Sequence, residues 1–115
     1  KRHGLIVSLS RILCVGPIPD ELARKTEAAA YVNASLWHAS RVGTNGAHLY
    51  QTAADAYSIM GFADEIEKHH QGGACGYKTR DWIAHSESLE QVQLNQAFAF
   101  NPSITGTPLE SWKTR

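Results

Sequence analysis

The order of apolar and polar positions predicts an opening strand followed by a long helix. Residues 4–15 are rich in Leu, Ile and Val with polar side chains between them, which is typical of an extended strand, and a Gly-Pro segment at 16–19 ends it. Pro19 suits the first helical position, and acidic residues follow it at positions 20 and 21. The predicted helix runs to about Ser40, with an inward stripe formed by Leu22, Thr26, Ala29, Val32, Leu36 and Ala39.

A second helix and several short strands are predicted in the rest of the chain. The helix follows a glycine-containing turn at 41–46, is capped by Gly61, and has an apolar stripe of Leu49, Ala53, Ala56, Tyr57 and Met60. From Phe62 the segments become short and are separated by glycines, which is typical of strands and turns. The predicted strands are Glu67–Gln71, Tyr77–Ile83 and Gln96–Asn101. The predicted fold class is α/β (α+β), with two helices packed on a mostly antiparallel sheet.

Length and composition exclude several classes of protein. The chain of 115 residues can build one hydrophobic core, so residues 1–115 are expected to form a single domain. Eleven basic and eleven acidic residues give zero formal charge and no basic stripe, which argues against nucleic acid as a partner. The apolar runs are far shorter than the ~20 residues that cross a bilayer, so no membrane association is expected.

The two cysteines and the N-terminus indicate the compartment. Cys14 and Cys75 lie far apart and form neither a metal-type pair nor a redox spacing, so free thiols are expected. Free thiols are typical of a reducing compartment, and no export signal is visible, which together indicate a cytoplasmic protein. The sequence begins without methionine close to an apolar segment, which suggests a piece of a longer chain.

The segment His69-His70-Gln71-Gly72-Gly73 is the strongest candidate for chemistry. The imidazole of His70 could bind a metal, act as a general base or orient a substrate carbonyl, and a turn histidine bonded to backbone is the structural alternative. Strand alternation turns His69 the other way, which favours a structural role for it. The glycines could open the backbone to a ligand, but tight-turn geometry explains them equally well.

Three segments, in order along the chain, resemble the motifs of one known family. Ser8-Leu9-Ser10-Arg11 resembles an Asp-x-Thr-Arg strand, and His70-Gln71-Gly72-Gly73 resembles a His-x-x-Gly segment. Residues 95–102, Asn-Gln-Ala-Phe-Ala-Phe-Asn-Pro, resemble a Gly-Met-x-Phe-x-x-Glu-Pro segment. The family is the pita-bread metallopeptidase family of prolidase, Xaa-Pro aminopeptidase, methionine aminopeptidase and the metal-free relative creatinase. The resemblance covers nearly the whole chain and implies the C-terminal part of a pita-bread catalytic domain, with a curved and incomplete sheet.

The resemblance also implies a metal site that this chain can supply only in part. It assigns His70 and Glu110 as ligands of a divalent metal such as Mn or Zn. Ser8 stands where the family has a bridging aspartate, and Asn101 stands where it has a glutamate. Neutral side chains at these two positions remove the charge that holds two divalent cations, so a tight two-metal site is not expected.

Four residues are predicted to act on a substrate. His70 and Tyr77 are the predicted catalytic residues, because Tyr77 replaces a family histidine that donates to the substrate and a phenol can donate similarly. Asn101 and Arg80 are predicted to bind the substrate, through an amide and through a bidentate contact with a carboxylate. A surface ion pair between Arg80 and Asp81 and simple packing of Tyr77 are the structural alternatives.

The resemblance implies an Xaa-Pro peptidase-like hydrolase, an aminopeptidase or dipeptidase, acting on an amide or related C–N bond of a peptide or small substrate. Two alternatives remain open. One is a metal-independent, creatinase-like hydrolase in which His70 carries the proton. The other is a non-catalytic pita-bread module for binding or dimerisation. Because the family often dimerises and open sheet edges favour association, a homodimer is also expected.

Overall fold

The computed structural model describes residues 1–105 as two helices packed on a three-stranded antiparallel sheet. The helices are α1 (Asp20–Ala39) and α2 (Gly46–Ile59), and a short 3-10 helix spans Ala63–Glu67. The strands are β1 (Gly72–Cys75), β2 (Trp82–Ile83) and β3 (Ala97–Phe100), in the spatial order β2-β1-β3. This is the α+β fold that the sequence predicts. No helix within residues 1–105 combines the length and apolar character needed to cross a bilayer.

The ends of α2 are fixed by the residues that the sequence places there. At its start the side chain of Asn45 accepts the backbone N–H three residues on, at 2.8 Å. At its end Gly61 has φ +85° and donates its N–H to the Ser58 carbonyl, while the Phe62 N–H donates to the Tyr57 carbonyl at 2.8 Å. These two bonds form a Schellman motif, which needs a left-handed residue after the helix. The predicted role of Gly61 is confirmed.

The core lies between the two helices and one face of the sheet. The stripe predicted for α2 is confirmed, with Met60 only partly buried. The buried face of α1 differs from the prediction, since Lys25 and Ala28 are buried while Thr26 is exposed. Lys25 buries its aliphatic stem and still pairs its ammonium with Glu21 at 3.0 Å and with the Thr105 carbonyl at 3.1 Å.

The prediction of a leading strand over residues 4–15 is wrong. An isolated bridge pairs Arg2 with Leu5, and the Ile6 N–H donates to the Gly76 carbonyl at 2.8 Å, but no strand forms. The apolar side chains beyond are uncovered, with Leu13 and Val15 exposed at 90% and 94%. Strand propensity is expressed only against a partner strand, and residues 7–15 have none within the described chain.

The predicted strand Glu67–Gln71 is also wrong, because the segment before β1 is organised around a buried carboxylate. The 3-10 helix Ala63–Glu67 places Glu65 at only 3% exposure. Its Oε1 accepts from the Lys68 ammonium at 2.7 Å, and its Oε2 accepts from the Thr105 N–H at 3.1 Å. These bonds require a turn here, so the strand begins only afterwards.

The other two predicted strands are shorter than expected. Within Tyr77–Ile83 only the last two residues form a strand. The residues before them lie in a turn, which is closed by a hydrogen bond of 2.8 Å from the Asp81 N–H to the Ala74 carbonyl. The prediction over Gln96–Asn101 is confirmed apart from its first and last residues. The side chains of Phe98 and Phe100 pack against the core.

A buried hydrogen-bond network centred on Tyr57 joins α2 to the sheet. The Tyr57 hydroxyl donates to Gln71 Oε1 at 2.6 Å, accepts the Ser103 N–H at 3.1 Å, and lies 3.2 Å from the Ser103 carbonyl. Gln71 is 2% exposed and donates its amide to the His69 carbonyl at 2.7 Å. Burial raises the pKa of Tyr57 to about 12, so the phenol stays protonated and can donate.

We expect Tyr57→Phe to lower the free energy of unfolding by about 1–3 kcal/mol, because it leaves the buried amide oxygen of Gln71 and the Ser103 N–H without their partner. The matched control is Tyr31→Phe on the exposed side of α1, which should change stability by less than about 0.5 kcal/mol. Urea denaturation of both variants checks this. Equal stabilities for the two variants would contradict a structural role for the Tyr57 hydroxyl.

We expect the stabilising effect of Glu65 to disappear in acid. Burial raises the pKa of this carboxyl, but hydrogen bonds from Lys68 and Thr105 outweigh burial and leave the pKa below its usual range. The ionised form therefore stabilises the fold above the unfolded pKa of about 4.3, and this contribution is lost as the pH falls through the folded value.

Glu65→Gln should therefore destabilise the protein by about 1.5–3 kcal/mol at pH 7, and the difference from wild type should shrink below about pH 4. Denaturation curves between pH 7 and pH 3 measure this difference. The exposed neighbour Glu67, changed to Gln, is the control. A constant difference between wild type and Glu65→Gln over that range would refute the assignment.

Candidate functional site

Hydrogen bonds link three predicted site residues, which we call the His70 cluster: His70, Arg80 and Asn101. Arg80 Nη2 donates to Asn101 Oδ1 at 3.1 Å, and Asn101 Nδ2 donates to the His70 carbonyl at 3.3 Å. Partial burial lowers the pKa of His70, and the nearby positive charge of Arg80 lowers it further. Two of these residues, His70 and Asn101, come from the family-like motifs, and Arg80 is predicted from its side-chain chemistry alone.

The strand order explains why these residues meet. Asn101 follows β3 and continues its ladder, since its N–H donates to the Gln71 carbonyl at 2.9 Å. Arg80 precedes β2, and β1 lies between β2 and β3, so the Arg80 side chain bridges the two strands that flank β1. Because Phe98 and Phe100 pack against the core, alternation puts Asn101 on the opposite side of the sheet. We call that side the open face.

Arg80 carries a positive charge that no described carboxylate balances. The surface ion pair with Asp81 does not form, and the salt bridges within residues 1–105 involve only Lys25 and Lys68. Arg80 Nη1 donates to the Thr79 carbonyl at 2.7 Å, while its buried Nε has no hydrogen-bond partner in this part of the chain. A partly buried guanidinium with unused donors suits a planar anion such as a carboxylate.

The remaining predicted site residues do not join the cluster. Tyr77 is 74% exposed and follows β1 at the end away from His70. Its ring packs beside Gly4, since a methyl group added at Gly4 would lie 3.2 Å from a carbon of the ring. Packing, the structural alternative to catalysis, therefore accounts for Tyr77. Ser8 is exposed in the segment without strand structure, and Glu110 lies outside the described residues.

The donor set does not fit a two-metal centre. Among the residues that the structure describes, no three His, Cys, Asp or Glu side chains gather in one place. The amide oxygen of Asn101 accepts from a guanidinium, so a cation already stands beside the position where the family has a carboxylate ligand. Two divalent metals need anionic oxygen ligands that share a site, and Ser8 and Asn101 do not provide them.

A second pair of side chains in this region was missed by the sequence analysis. His69 Nε2 lies 2.7 Å from Ser103 Oγ, although the two residues are 34 positions apart. The sequence favours a structural role for His69. In the sequence, the only indication that Ser103 lies near the candidate site is its position directly after the Asn101-Pro102 dipeptide, at which the family-like motif ends.

A groove of about 520 Å³ lies away from the His70 cluster. It is formed where the end of α1 meets the segment leading into β3, and its apolar lining includes Trp37, Val42, Val92 and Phe98. Ligand sites are usually concave, but none of the three cluster residues lines this groove. The cluster is instead a surface site on the open face, which suits the end of a chain better than an enclosed small molecule.

Comparisons with solved structures support the fold. No protein-family model and no curated protein matches the sequence significantly. The X-Pro aminopeptidase from Thermotoga maritima superposes with a TM-score of 0.67 at 16% identity, over 76% of this chain and 25% of that chain. The N-terminal domain of the FACT complex subunit Spt16 from chickpea (Cicer arietinum) superposes with a TM-score of 0.60 at 12% identity, over 70% of this chain and 20% of that chain.

The similarity to these two structures shows a pita-bread-like fold, as the sequence motifs predict. The chain spans about a quarter of the aminopeptidase and about a fifth of the Spt16 chain. The activity of either whole protein therefore does not transfer directly to this chain.

Proposed function

We propose that this chain is a metal-independent peptide-binding domain whose His70 cluster holds the carboxylate of a peptide or small amide. The observation that carries this proposal is the uncompensated charge of Arg80, which has no carboxylate partner among residues 1–105. A hydrogen bond to Asn101 orients its Nη2. A ligand carboxylate would balance that charge and accept hydrogen bonds from the guanidinium. The uncharged form of the His70 imidazole can donate one more hydrogen bond.

The related folds are consistent with a peptide ligand. One of the two similar structures is named for action on X-Pro peptides, and the other is named as a subunit of a complex with no reaction specified. A fold whose surface binds peptides, with or without a catalytic site, would be consistent with both names. Function depends on the site rather than the fold, so the proposal rests on the chemistry of the cluster.

A metal-independent, creatinase-like hydrolase is the second candidate. His70 is exposed and its pKa is lowered, so its imidazole is available to accept a proton at neutral pH. In this candidate Arg80 would hold the substrate carboxylate while His70 transfers the proton during cleavage of an amide or related C–N bond. A two-metal Xaa-Pro peptidase is less well supported, because its carboxylate ligands at two positions are replaced by Ser8 and Asn101.

The carboxylate proposal predicts that the protein binds the dipeptide Ala-Pro more tightly than its C-terminal amide. Arg80→Gln should weaken dipeptide binding about 10- to 100-fold, the loss expected for a hydrogen bond to a charged group. Arg41→Gln makes the same change in charge on the exposed turn after α1 and should leave binding unchanged. Isothermal titration measures all four affinities. Equal binding of dipeptide and amide, or equal effects of the two variants, would refute the proposal.

The candidates differ in metal dependence and turnover. We expect less than one Mn or Zn ion bound per chain after dialysis, because the donor set lacks carboxylates, and no cleavage of X-Pro or amidino substrates. Elemental analysis and product assays test this on wild type and His70→Ala. Metal-stimulated X-Pro cleavage would overturn metal independence. Metal-free turnover that disappears in His70→Ala would establish the hydrolase instead of the binding domain.

A further inference from the structure

A serine and a histidine outside the His70 cluster are arranged as a nucleophile and its base. Ser103 follows β3 and is exposed, and His69 precedes β1 and is partly buried. The Ser103 Oγ lies 2.7 Å from His69 Nε2, within the range of a strong hydrogen bond between a hydroxyl and a ring nitrogen.

The contacts of both ring nitrogens bear on the tautomer of His69. Nδ1 lies 2.9 Å from the His70 carbonyl oxygen and Nε2 lies 3.3 Å from the Ser103 carbonyl oxygen, and both oxygens can only accept. The Gln71 amide, 3.3 Å from Nδ1, makes its shorter bond to the His69 carbonyl at 2.7 Å. The shorter contact of Nδ1 favours a hydrogen on that nitrogen, and the lone pair of Nε2 then faces the Ser103 hydroxyl. In this tautomer the Ser103 hydroxyl donates to Nε2, which is the direction that proton removal from a nucleophile needs. A backbone carbonyl here does the orienting that a carboxylate does in a Ser-His-Asp triad.

Both residues are held by the buried network rather than by the surface. The Ser103 backbone N–H donates to the Tyr57 hydroxyl at 3.1 Å. The carbonyl of His69 accepts from the Gln71 amide at 2.7 Å, and Gln71 Oε1 accepts from the same Tyr57 hydroxyl at 2.6 Å. One buried tyrosine thus sets the separation of the two backbones. Support of this kind is what keeps a reactive pair in its productive geometry.

We infer that Ser103 and His69 form an acyl-transfer pair that reacts with small esters. Ser103 Oγ attacks the acyl carbon as its proton passes to His69 Nε2. The ester C–O bond then breaks, the alcohol leaves with that proton, and an acyl-serine remains. Water attacks the acyl-serine and gives its proton to Nε2, and Ser103 regains a proton as the carboxylic acid leaves. The inference is independent of ligand binding at the His70 cluster.

The experiment is covalent labelling with diisopropyl fluorophosphate, which forms a P–O bond to an activated serine with loss of fluoride. Intact-mass analysis and peptide mapping should find one adduct, on Ser103, in the wild-type protein. Ser103→Ala should abolish the adduct, and His69→Gln should slow its formation at least about 100-fold, the lower range for loss of a general base. Ser86→Ala removes another exposed serine and should label like wild type.

The outcomes decide the inference in either direction. An adduct confined to Ser103 and slowed by His69→Gln supports it. The absence of an adduct in the folded wild type, or similar labelling of Ser103 and Ser86, overturns it. Because the Ser103 side chain is exposed, Ser103→Ala is expected to fold, so the comparison with wild type is decisive even where His69→Gln does not fold. Loss of dipeptide binding in Arg80→Gln with unchanged labelling would separate this site from the His70 cluster.

Discussion

The Tyr57 hydroxyl is the contact on which the arrangement of this domain depends. It comes from the buried face of α2 and reaches the residue before β1 and a residue after β3 at once, through Gln71 and Ser103. The β1–β3 ladder fixes the register of these two strands, but it does not fix their position on the helices. The tyrosine supplies that second constraint. Because Gln71 is buried with both amide groups bonded, slipping either strand would leave polar atoms unpaired in the core.

All of the residues of the two candidate sites except Arg80 lie within two residues of this contact. His69 and His70 precede Gln71, and Asn101 precedes Ser103 by two positions. One buried network therefore lies next to two different groups of side chains. Asn101 bonds with Arg80 and with the His70 carbonyl, while His69 contacts Ser103. The same core contact supports both candidate sites.

The sequence predicted what depends on local periodicity and missed what depends on distant partners. The helices and the Gly61 cap follow from spacing and from one left-handed residue, and both agree with the structure. The apolar run at 4–15 has the composition of a strand, but a strand also needs an edge to pair with, and composition carries no information about that. The motif resemblance placed His70 and Asn101 in one site. It could not reveal the contact between His69 and Ser103, which exists only once β1 and β3 are in register.

The exchange of a carboxylate for an amide at Asn101 changes the kind of ligand this part of the fold can hold. A glutamate there would attract a cation and would pair with Arg80 if no metal were present. An amide is neutral, so its oxygen can orient the guanidinium at 3.1 Å without cancelling the charge. The net charge of the cluster thus becomes positive where the family-like motif implies a negative one. Under the proposed function, the amide at Asn101 together with the charge of Arg80 suits this face of the sheet to an acid rather than to a metal ion.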